Sequence, residues 1–279
     1  MEYLVEAIVE SDFYIAAQEG KLDEAPIAGR LEKWAEKLSK MLTTKYEKND
    51  MTALHWAATN SQLKFLPTSV LTAKNLCIKN LDKKTPVHIA AEVGCINQLP
   101  PIILKDVKLL LSKCGGRLTP MHYLAEHGLD ALPEICEDIL IAPDASGNTP
   151  LHILANNNRI KGIPKQFLTK KNLCLANSGG ATPLHYMAAY GELDSISEDV
   201  LTSDAILLPD ATGRTPLHWA LNATMEASRN NTDVLLDKLI PIECKEILGE
   251  QWWARHNDIL QAKSRDLIGI VELPDIDIF

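Results

Sequence analysis

No apolar run in this 279-residue chain approaches the roughly 20 residues that a membrane-spanning helix needs, so no membrane association is expected. The N-terminus is acidic and amphipathic, without a basic stretch leading into an apolar one, and no secretory signal is expected. Long basic clusters are absent and the net charge is −9, which argues against a nucleic-acid partner. That acidity suits a basic protein partner, or serves only to keep the chain soluble. None of the six cysteines, Cys77, Cys95, Cys114, Cys136, Cys174 and Cys244, lies in a Cys-x-x-Cys pair. Scattered free thiols of this kind point to a reducing, cytoplasmic setting. There is no Gly-rich phosphate loop, no Gly-x-Ser-x-Gly elbow and no paired-carboxylate motif. With no convergent nucleophile, base or ligand set, neither enzyme activity nor a cofactor or metal is expected.

What the chain does have is a tetrapeptide that returns six times: Thr52-Ala53-Leu54-His55, Thr85-Pro86-Val87-His88, Thr119-Pro120-Met121-His122, Thr149-Pro150-Leu151-His152, Thr182-Pro183-Leu184-His185 and Thr215-Pro216-Leu217-His218. The histidines are spaced 33, 34, 30, 33 and 33 residues apart by subtraction. A period near 33 predicts stacked repeats, each burying its apolar face against its neighbours in one elongated domain. Asp144–Gly147 and Asp210–Gly213 each place Asp first and Gly fourth, a tight-turn signal, with Asn177–Gly180 as a variant. Cys114-Gly115-Gly116-Arg117 reads as a degenerate copy of that turn. Thr then caps a helix whose first position is Pro, and Gly94, Gly128 and Gly191 stop it six residues past the histidine. Pro67, Pro100, Pro133 and Pro164, about 12 residues after the histidines, predict that a second helix is short. Thr72–Leu76 and Thr169–Leu173 each suggest one further capped turn.

These residues, over roughly 12 to 240, resemble the ankyrin repeat family in their turn, their Thr-Pro-Leu-His, their Ala-Ala pair and the Gly between helices. The resemblance implies an all-α solenoid of paired short helices with β-turn or hairpin tips. Residues 1–47 would be an N-terminal capping repeat, with Leu31, Trp34, Ala35, Leu38 and Leu42 on an extended helix. Residues 48–240 would hold six repeats, with an exposed loop at 227–232. Residues 241–279 would form a C-terminal cap, with a helix over 251–265 carrying Trp252 and Trp253, and an acidic tail.

The resemblance also implies protein–protein recognition on a concave face of turn tips and first helices, by a scaffold, adaptor or inhibitor that is monomeric by itself. Alternatives are a bacterial or viral effector that blocks a host protein, or a non-catalytic subunit of an enzyme complex. The partner-binding candidates carried onto this chain are Asp82, Lys84, Glu92, His127, Asn148, Asn157, Tyr190, Thr212 and Arg214. Tyr190 and Arg214 are the preferred anchors, since interface hot spots favour Tyr and Arg. The six repeat histidines are one repeat apart and cannot converge on one ion, so they are expected to bond neighbouring backbone. The large residue after each of them (Trp56, Ile89, Tyr123, Ile153, Tyr186, Trp219) is expected to pack within the array.

Overall fold

The computed structural model describes residues 13–23, 42–45, 49–129, 132, 135–197 and 199–222. The expectations for the extended helix carrying Leu31, Trp34, Ala35 and Leu38, for the 227–232 loop and for the C-terminal cap lie outside these residues. Among the described residues every regular element is an α or 3-10 helix, and none of these helices is long and apolar enough to cross a membrane. The chain divides into two compact units, Met1–Pro150 and Leu151–Phe279.

The tetrapeptides open six helices: α1 Ala53–Thr59, α2 Pro86–Val93, α3 Pro120–His127, α4 Pro150–Asn156, α5 Pro183–Tyr190 and α6 Pro216–Asn222. The residue before each histidine (Leu54, Val87, Met121, Leu151, Leu184 and Leu217) has no solvent exposure. Ala57, Ala58, Ala90, Ala91 and Ala188 are equally buried, and their small side chains let helices approach closely. In the first unit α1 packs on α2 and α2 on α3; in the second, α5 packs on α6. Left-handed glycines end two of these helices, Gly94 at φ 79° and Gly191 at φ 88°.

In the first, second and fourth repeats the segment after the first helix is broken. One 3-10 turn precedes the proline, at Leu63–Phe65, Ile96–Gln98 and Ile160–Gly162. A four-residue α-helix follows it, at Ala73–Leu76, Val107–Leu110 and Lys170–Leu173. Thr72, Asp106 and Thr169 cap these short helices through their side-chain oxygens. The Asn of Thr-x-x-Asn-Leu ties the turn back: Asn75 Nδ2 donates to the Val70 carbonyl at 2.8 Å and Asn172 Nδ2 to the Phe167 carbonyl at 2.9 Å. The following leucines, Leu76 and Leu173, are fully buried.

Candidate functional site

Each repeat histidine sits at the third position of its helix, where a capping box ordinarily places Glu or Gln. In α1 the Thr52 N–H donates to His55 Nδ1 at 3.1 Å, and Thr52 Oγ1 stands 2.7 Å from the same nitrogen. The distances repeat at Thr85–His88, Thr119–His122, Thr182–His185 and Thr215–His218 within 0.1 Å. A backbone amide can only donate, so Nδ1 is the unprotonated nitrogen and Nε2 carries the hydrogen. Nε2 then donates to the carbonyl just before the next repeat's threonine. The acceptors are Lys84 for His55 at 3.1 Å, Asn148 for His122 at 3.0 Å, Ala181 for His152 at 3.1 Å and Arg214 for His185 at 3.1 Å. His88 departs from this: its Nε2 is buried and has no hydrogen-bond partner. It faces the repeat whose turn begins at Cys114, where the sequence has neither Asp nor Asn. Burial lowers the pKa of His55 and His88 to about 4, opposed at His55 by the cross-repeat carbonyl of Lys84 and at His88 by the corresponding carbonyl of Leu118.

The turn tips are tied to one another within each unit. Leu81 N–H donates to the Asn49 carbonyl at 3.2 Å, Gly115 N–H to Asp82 at 3.1 Å, and Ala145 N–H to Gly116 at 2.8 Å. In the second unit Ala211 N–H donates to the Gly179 carbonyl at 2.8 Å. Inside the turns, Asp144 Oδ1 accepts from the Ser146 and Asn148 amides, both at 2.8 Å. Asn177 accepts likewise from Gly179 and Ala181, and Asp210 from Thr212 and Arg214. The degenerate Cys114 turn keeps the closing bond, Cys114 N–H to the Leu118 carbonyl at 2.9 Å, without a side-chain acceptor of that kind.

On the face built by turns and first helices, the candidates fall into separate groups. In the first unit Lys84 Nζ lies 2.7 Å from both carboxylate oxygens of Glu92 and 4.8 Å from the centre of the Tyr123 ring. His127 Nε2 donates to the Glu92 carbonyl at 2.8 Å, and its ring lies 3.6 Å from where a Cβ on Gly94 would stand. Asp82 and Leu81 are exposed on the adjoining tip, and Val93 is exposed at the end of α2. Asn148 belongs to the last turn of this unit and is half-buried.

In the second unit the Arg214 guanidinium lies 5.7 Å from the Trp219 ring centre, and its Nε donates to Thr212 Oγ1 at 2.8 Å. Thr212 Oγ1 donates to Asp210 Oδ1 at 2.6 Å, and Trp219 Nε1 to Asp210 Oδ2 at 3.0 Å. Burial would raise the Asp210 carboxyl, but the bonds from Thr212, Arg214 and Trp219 outweigh it and hold the group well below the usual carboxylate range. Tyr190 is half-buried at the end of α5, and Asn157 is exposed just past α4. The structure thus groups Lys84, Glu92 and His127, and separately Thr212 and Arg214.

The large residues after the histidines serve the array itself. Tyr123, Tyr186 and Trp219 set ring edges against His88, His152 and His185, with centroids 6.3, 6.2 and 5.4 Å apart. Trp56 Nε1 donates to Tyr14 Oη at 2.8 Å. The sequence reading missed Tyr123 and Trp219 as the aromatic floors beneath Lys84 and Arg214. The available signal was their place one residue past a repeat histidine, beside the residue that precedes the threonine. No family model matches the chain.

Proposed function

We propose that the chain is an ankyrin-type repeat protein that acts by binding a protein partner on the face of its turn tips and first helices, without catalysis of its own. The observation that carries this reading is the use of the repeat histidines. At His55, His122 and His185 Nδ1 is committed to the helix cap and Nε2 to the next repeat, and His152 Nε2 is committed in the same way. The chemistry-bearing side chains that recur with the period therefore hold repeats together, and the face beside them varies from repeat to repeat. In the first unit this face offers Lys84 held over the Tyr123 ring, with Asp82 exposed; in the second it offers Arg214 over the Trp219 ring, with Thr212 and Asn157 exposed. Charged groups held in place lose little freedom on binding, which favours affinity and register at a protein interface.

The test is a photo-crosslinking residue placed in turn at Asp82, Asn157 and Thr212, in the cells that make the protein. A discrete protein adduct at these positions, and none from the same residue at Cys77, supports the reading. Adducts only at Cys77 would move the interface off this face.

A further inference from the structure

The junctions between repeats contain one side chain whose ordinary charge does not suit its place. Seven residues past a repeat histidine the chain has just left the first helix. In the first full repeat that residue is Gln62, which is 7% exposed. Its Oε1 accepts the Leu22 N–H at 3.0 Å, and its Nε2 donates to the Gly20 carbonyl. In the fifth repeat the same position holds Glu192, with no exposure. Its Oε1 accepts the Ile160 N–H at 2.8 Å, the same bond to the preceding repeat. Gly20 and Asn158 stand two residues before the bonded amides, and both are left-handed, at φ 70° and 56°. Gln62 thus meets one donor and one acceptor with one acceptor and one donor of its own. Glu192 Oε2, the atom that corresponds to Gln62 Nε2, has no hydrogen-bond partner. An ionised carboxylate is acceptor-only and cannot reproduce the second bond, whereas a carboxylic acid can.

We propose that Glu192 is a protonation-dependent latch between the fourth and fifth repeats: as the neutral acid it donates through Oε2 to the backbone of the loop before Ile160, and on ionising it loses that bond and weakens the junction. The charged groups beside it are Lys161 on the facing loop, which favours the ionised form, and Asp194 on its own turn, which opposes it. Burial outweighs the bonds from the Ile160 and Lys161 amides and the Lys161 charge, and raises the carboxyl from 4.5 to about 7, so the latch releases near neutral pH. A buried acid whose pKa is raised on folding contributes its stability below pH 4.5 and loses it as pH rises through 7.

Glu192→Gln copies the neutral acid and removes the titration. Wild type and Glu192→Gln should unfold alike at pH 4 and below. As pH rises toward 7 the unfolding constant of wild type should grow relative to the variant, by up to about tenfold per pH unit. The labelled carboxyl carbon of Glu192 should titrate with a midpoint near 7 in the intact chain. A midpoint at the ordinary 4.5, or a stability difference between the two proteins that does not change with pH, would overturn the proposal.

Discussion

The threonine amide of each cap can only donate, so a proton on histidine Nδ1 would set two donors against each other at 3.1 Å. The folded chain therefore keeps its repeat histidines neutral, and burial reinforces this. For His55 and His88 the folded pKa is about 4 against an ordinary 6.5. Between those values the unfolded chain binds protons that the folded chain refuses. Stability is complete above pH 6.5 and falls as pH drops to about 4, by up to about 3 kcal/mol for each of the two. Glu192 works in the opposite sense between 4.5 and about 7, but it is one group against several, so the acid side should be dominated by the histidines. Denaturant unfolding at pH 7.5, 6 and 4.5 checks this, and a midpoint that holds steady across the series would contradict it. His185→Ala leaves the Arg214 carbonyl without its donor and should cost about 1–3 kcal/mol at neutral pH. The Thr-x-x-His spacing made the cap legible in the sequence. The role of Nδ1 was less so, because a capping box normally carries Glu or Gln at that position.

Among the turns and short helices, one column of backbone conformation recurs. Five residues before each repeat histidine φ is positive: 78° at Gly147, 73° at Gly180 and 81° at Gly213, but also 60° at Lys83 and Arg117 and 54° at Asp50. Side chains other than glycine are strained there by roughly 1–2 kcal/mol. Lys83→Gly and Arg117→Gly should each stabilise the chain by about 0.5–1 kcal/mol, after the greater freedom of glycine in the unfolded chain is offset. Gly180→Ala should do the reverse and more, since its Cβ would lie 2.6 Å from the Ala211 nitrogen. Thermal melts of the three variants decide it, and a stabilised Gly180→Ala would show that the turn stacking is misread. Asp first and Gly fourth revealed this turn where both were present, and Cys114–Arg117 was legible as a degenerate copy, whereas Lys83 hid the turn that begins at Asn80. The prolines correctly signalled short second helices. The split into a 3-10 turn and a capped four-residue helix was only half visible, because in the second repeat Asp106 replaces the Thr cap seen at Thr72 and Thr169.

At the scale of the molecule, the period near 33 and the helix caps were readable because they depend on local backbone chemistry. The grouping of side chains on the proposed binding face was not, because it depends on how a side chain before the helix reaches along it, and on which residues adjacent repeats bring together. Lys84 and Glu92 are eight apart in sequence and Lys84 lies ahead of α2 rather than on it, yet its side chain returns to within 2.7 Å of Glu92 near the helix end. Arg214 finds Trp219 and Thr212 by the same kind of return. These exposed contacts add little to stability, so the face can be altered without unfolding the chain. That separation makes the functional claim directly measurable. The decisive measurement is quantitative affinity capture from the native cell with wild type and with the Tyr190→Ala, Arg214→Ala double variant, paired with a melting curve for each. We expect a protein partner that wild type retains and the double variant loses at least tenfold, with melting temperatures that agree closely. Equal capture by two equally stable proteins would contradict binding through this face.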